Sequence, residues 1–141
     1  MATDPNSARL GSSRVELAQQ FLARTGQSDV QLALDMLSPS AVYQVVGPPS
    51  ISGTFTTPEA IKNHLVMLAE RTTGRVEMTK WDDWLIGEHH VAGVAQVQVQ
   101  GRAEIYRGRQ LFLMAFTATN LIERITVFFD DEAAATRFFG A

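Results

Sequence analysis

At 141 residues the chain is the size of one domain, long enough to bury a core without help from disulfides or metals. Apolar residues make up 45% and charged residues 19%, which excludes a disordered chain, and no run approaches the roughly 20 apolar residues that span a bilayer. A formal net charge of −3 without any Lys/Arg cluster excludes a nucleic-acid or acidic-membrane surface, and the absence of cysteine excludes disulfides, thiolate nucleophiles and Cys-ligated zinc. The opening Met1-Ala2-Thr3-Asp4-Pro5-Asn6-Ser7 has no basic segment followed by an apolar run, so a soluble, cytoplasmic protein is expected. Residues 1–13, rich in Ser, Asn, Gly and Pro, read as a mobile tail before a single domain over 14–141.

Val15, Leu17, Ala18, Phe21 and Leu22 recur at helical spacing and predict a first helix ending at Arg24-Thr25-Gly26. Ser28 or Asp29 can cap a second helix from Val30 to Leu37, stopped by Ser38-Pro39. Ala41 to Val46 is β-branched and aromatic and reads as a short strand closed by Gly47-Pro48-Pro49. After a turn-rich stretch, Thr57-Pro58-Glu59 opens a third helix with Ile61, Leu65 and Leu68 on its inner stripe and Gly74 at its end. From Arg75 the pattern becomes strands: Val76 to Ile86, His89 to Gln100, Ala103 to Thr117 and Ile122 to Asp130, joined by short turns as in a meander. Ala133 to Phe139 predicts a closing helix.

This order, together with Asp29-Val30 to Met36 running into Ala41-Val42-Tyr43, the Gly53 to Leu65 stretch and Ile122 to Asp130, resembles the nuclear-transport-factor-like superfamily. That superfamily includes ketosteroid isomerases, limonene epoxide hydrolases and SnoaL-like polyketide cyclases, and the likeness covers about Val15 to Gly140. The resemblance implies an α+β fold: a cone-shaped barrel in which three N-terminal helices pack on a strongly curved, mostly antiparallel sheet, with a short C-terminal helix. It also implies where catalytic groups would stand. The isomerase positions for the oxyanion-hole Tyr, the second acid and the proton-moving Asp fall on Phe21, Phe112 and Val45, none of which exchanges a proton. The epoxide hydrolase Tyr falls at Tyr43-Gln44, but its Asp–Arg–Asp relay falls on Val94, Gln96 and Val127.

Strand parity places Tyr43, Val45, Phe112, Met114, Val127 and Phe129 toward one apolar pocket, a usual design for a small-molecule site, although the same residues can close on each other as plain core. His64 lies between Ile61, Leu65 and Leu68 on the inward helix face, where a neutral imidazole can serve as acid or base or simply bond a carbonyl. Tyr43 can steer a ligand oxygen with its hydroxyl. Trp81-Asp82-Asp83-Trp84 puts one Trp and one Asp on each strand face, so Asp83 or Asp82 would meet the pocket beside Trp81 or Trp84, unless the acids form an exposed rim. Gln96, Gln98 and Gln100 share one strand face and Val91, Ala95, Val97 and Val99 the other. Inward glutamines would offer amides to a ligand and leave an outer apolar patch for a homodimer; outward ones would be solvated.

The expected function is a cofactor-free pocket protein for a hydrophobic polyketide- or terpenoid-like molecule. Tyr43, His64 and Asp83 are its candidate catalytic groups for cyclisation, isomerisation or hydration. Phe21, Val45, Trp81, Trp84, Gln96, Phe112, Met114, Val127 and Phe129 are its contacts. The alternatives are a non-catalytic dimeric binding or interaction module and an epoxide hydrolase. No metal site is expected from the spacing of His64, His89 and His90.

Overall fold

A computed structural model describes residues 5–27, 29–72, 75–101 and 103–140, with side chains from Ser13 onward. Helix α1 runs Pro5–Gly26, α2 Val30–Leu34, β1 Leu37–Val46, β2 Gly53–Phe55 and α3 Pro58–Arg71. Strands β3 (Val76–Ile86), β4 (His90–Gln100), β5 (Ile105–Phe116) and β6 (Ile122–Phe129) follow, then α4 (Glu132–Phe139). No helix among the described residues is long and apolar enough to cross a membrane.

The strands form one six-stranded sheet in the order β2-β1-β6-β5-β4-β3. All pairs are antiparallel except β1 with β6. Its edges are β2 and β3, so the sheet is open rather than the closed barrel that the resemblance implied. Helices α1 and α3 cover one face. Phe21 and Leu22 from α1 and Ile61 and Leu65 from α3 are buried in one core cluster with the alternate residues Val91, Ala95, Val97 and Val99 of β4. This alternation is what period-2 side chains give when one sheet face is covered.

Several boundaries differ from the sequence reading, each for a physical reason. Helix α1 reaches back to Pro5, into the stretch read as a tail, while Met1 to Asp4 lie outside the described residues. The second helix stops after one turn at Leu34, because Met36 and Leu37 leave it to pair with β6: the Ile122 amide donates to the Met36 carbonyl at 2.9 Å. Pro39 sits inside β1, in a stretch where the β1–β6 register shifts between Leu37 and Val42, so its missing N–H costs no ladder bond. β2 is three residues taken from the turn-rich stretch, ordered by pairing with Tyr43 to Val45. Thr57 caps α3 by accepting from the Ala60 amide, and Pro58 occupies the first turn. The α3 C-cap is Thr72, Gly74 lying outside the described residues, as does Ser28, the first of the two proposed caps of α2. Asp131 caps α4.

Candidate active or binding site

Between the sheet's inner face and the covering helices lies a partly open cavity of about 70 Å³. Leu22, Thr25 and Gly26 close it from α1, and Leu65, Leu68, Ala69 and Thr72 from α3. The sheet supplies Tyr43 and Val45 (β1), Val76 and Met78 (β3), Val99 (β4), Gln110 and Phe112 (β5), and Val127 and Phe129 (β6). Ile51 and Phe139 complete the lining. Register explains the set: Val45 pairs with Val127 and Val127 with Phe112, so three inward side chains lie in one row across three strands.

The lining is apolar apart from four residues. Thr25 and Thr72 turn their hydroxyls back onto the helix carbonyls of Leu22 and Leu68, at 3.0 and 2.8 Å, which uses their donors. Tyr43 and Gln110 remain. Tyr43 is 5% exposed, and burial raises its hydroxyl pKa above the ordinary phenol value, so it stays protonated. Gln110 is 7% exposed and its side chain makes no hydrogen bond among the described residues. Their backbones are set apart: Tyr43 pairs with Ile125 and Gln110 with Phe129, four residues apart on β6, or roughly 13 Å along the strand.

Of the residues singled out in sequence, Tyr43, Val45, Phe112, Val127 and Phe129 meet on this cavity. Phe21 and Met114 are core beside it, 0% and 1% exposed. His64 lies behind Tyr43, its ring stacked on Phe55 at 4.3 Å and 5.4 Å from Tyr43. It is buried, neither ring nitrogen has a hydrogen-bond partner among the described residues, and desolvation lowers its pKa to about 4. It is neutral at pH 7 and not part of the lining.

The Trp81 to Trp84 segment corrects the parity reading. The β3–β4 register shifts between Met78 and Lys80 and again between Trp81 and Asp83, so residues three apart come to share a face. Both indoles lie on the inner face, 4.5 Å apart, over Gly93, where any Cβ would come within 2.8 Å of Trp81 and 2.9 Å of Trp84. Both carboxylates face away. Asp83 is exposed and accepts from the Trp84 amide at 2.8 Å; Asp82 accepts from Gln96 at 2.9 Å and pairs with Lys80 at 3.9 Å. Neither acid reaches the cavity. Gln96 and Gln98 therefore lie on the outer face, Gln98 accepting from Arg107, while Val91, Ala95, Val97 and Val99 pack inward. Trp81 also lines an open groove between α1 and β3 that shares Gly26, Val76 and Met78 with the cavity. Gln110 was not singled out in sequence, although it shares the strand face of Phe112 and Met114, two and four residues on, and that parity is the signal that could have found it. Among the described residues no three His, Asp or Glu side chains converge as metal ligands.

Solved structures share this architecture over nearly the whole chain. An NTF2-like protein from Anabaena variabilis superposes with a TM-score of 0.80 at 14% identity, covering 95% of this chain and 98% of its own. The chain has the nuclear-transport-factor-like fold. TerC, co-crystallised with polyporic acid, matches with a TM-score of 0.73 at 15% identity over 89% of this chain and 97% of its own. SalBIII, an epoxide hydrolase/cyclase-like enzyme in pyran ring formation in the polyether salinomycin, matches with a TM-score of 0.68 at 13% identity over 84% and 91%. No protein-family model matches the sequence, and no curated protein matches it. At these identities the likeness establishes the fold, and the site has to be judged from its own residues.

Proposed function

We propose that this NTF2-like chain binds a small, largely apolar organic molecule in the cavity between α1, α3 and the sheet. The observation that carries this reading is a lining drawn from every layer of the fold, apolar except for Tyr43, Gln110 and two self-satisfied threonines. About 70 Å³ is the space of roughly two waters. The ligand is accordingly a molecule of a few non-hydrogen atoms, smaller than the polyketide- or terpenoid-like substrate expected from sequence. The groove that shares Gly26, Val76 and Met78 supplies its route in.

Binding is favoured over acid–base chemistry because no carboxylate lines the cavity and Asp83, the acid expected there, is on the outer face. SalBIII and TerC, with the same fold, handle organic molecules, which makes such a ligand a natural occupant here. The test is native mass spectrometry of the freshly purified chain, followed by extraction of what co-purifies and titration with small neutral organics. A co-purifying molecule, or saturable binding lost in Phe112→Trp, supports the reading; an empty chain that binds nothing in the panel overturns it.

A second copy on the outer sheet face belongs to the same proposal, for a reason different from the one the sequence offered. Val94 pairs with Leu111, Leu111 with Phe128 and Phe128 with Val46, which lines up four apolar side chains across four strands on the face no helix covers. Leu111 is 36% and Val46 43% exposed. Such a ribbon is self-complementary under a two-fold axis. Sedimentation should give a dimer that Leu111→Asp converts to monomer, and a monomeric wild type at high concentration would remove this part.

A further inference from the structure

Gln110 has no role in holding the fold that its contacts explain. It is a side-chain amide with two donors and an acceptor, more than nine-tenths buried, on the inner face of β5 between the inward positions Ala95 and Phe129. None of those capacities is used by another described residue, and the side chain forms part of the cavity wall. Among the described residues, the fully buried side-chain polar atoms without a partner belong to His64, Trp84 and Tyr106, so the Gln110 amide touches accessible space, where a bonding group can reach it. Besides the two threonines the lining's other polar residue is Tyr43, and among the described residues no Asp, Glu, Lys, Arg or His lines the cavity.

We infer that Gln110 is the specificity-determining residue of the cavity and that its ligand is an uncharged molecule carrying a carbonyl or hydroxyl oxygen, which the Gln110 amide N–H meets. The inference rests on the reading of the cavity as a ligand site and adds the chemical class. An ionised carboxylate or ammonium would be buried there with no counter-charge in the lining, which disfavours acids and amines. A hydrocarbon of the same shape leaves the amide unpaired, and sites built on a hydrogen bond discriminate strongly against ligands that lack the partner.

The test compares acetone with isobutene, matched in shape and differing in the oxygen, by NMR titration of the full chain. The wild type is expected to bind the ketone about tenfold more tightly, the share of affinity a neutral hydrogen bond commonly carries. The Gln110 side-chain NH2 resonances should shift with the ketone and stay in place with the hydrocarbon, a readout that needs no variant. Gln110→Leu and Gln110→Met should retain hydrocarbon binding and lose the preference. Equal binding of both probes to the wild type, a preference that survives in both variants, or ketone binding that leaves the Gln110 resonances unmoved overturns this inference while the cavity reading stands. Binding of neither probe overturns the cavity reading and this inference with it.

Discussion

Replacing His64 by Phe should stabilise the protein increasingly as the pH falls. The imidazole is 3% exposed, stacked on Phe55, and has no hydrogen-bond partner at either nitrogen among the described residues. Its pKa falls to about 4 in the folded chain against 6.5 for the free side chain. Above about pH 6.5 neither the folded nor the unfolded chain protonates this residue, so it adds no pH dependence. Between about 6.5 and about 4 the unfolded chain takes up a proton that the folded chain refuses, and stability falls as the pH falls. Below about 4 both states are protonated and the slope vanishes. With 1.36 kcal/mol per unit, the loss from this one residue is about 2 kcal/mol at pH 5 and approaches about 3 kcal/mol at pH 4. Phe keeps the stack on Phe55 and cannot titrate; Leu serves as a second variant should the larger ring strain the site. Urea unfolding followed by tryptophan fluorescence, at pH 7 and pH 5, measures the difference between wild type and variant at each pH. The gap should move by about 2 kcal/mol in the variant's favour on going to pH 5. A gap that is the same at both values would mean that His64 is hydrated or paired in solution, and the burial argument would fail.

Gly93→Val puts a side chain into the two indoles and should cost about 1–3 kcal/mol in unfolding free energy while red-shifting tryptophan emission as Trp81 and Trp84 move outward; unchanged emission would show that the rings do not stack on Gly93. Thr57→Ala removes the side-chain cap on the Ala60 amide and should cost about 1 kcal/mol in the same assay, with Thr57→Asp restoring it. At Gly26 a Cβ would collide with the backbone carbonyl of Val76, which cannot step aside as a flexible side chain would. Gly26→Ala should therefore lower the thermal midpoint and speed amide exchange at the start of β3, and unaltered exchange there would refute the close approach of α1 to β3.

The sequence alone determined the elements whose signals are local. The four strands from Val76 to Phe129 fall within a residue or two of their expected ends, because β-branched and aromatic runs bounded by short turns carry their own boundaries. Thr57-Pro58 marked the start of α3 in the same way, through a cap and a first-turn proline that act on their neighbours. Tyr43, Val45, Phe112, Val127 and Phe129 were legible as one wall because unbroken parity carries a face along each strand. Only the tertiary structure decided where that parity breaks. Two register shifts against β4 turn Trp81 and Trp84 inward together and send Asp82 and Asp83 outward, and nothing within the four residues announces them. Pairing with β6 pulled Met36 and Leu37 out of a helix their spacing favoured. The face that the helices cover fixed the glutamines of β4 outside, since an amide suits either side of a strand until a non-local layer closes over one of them.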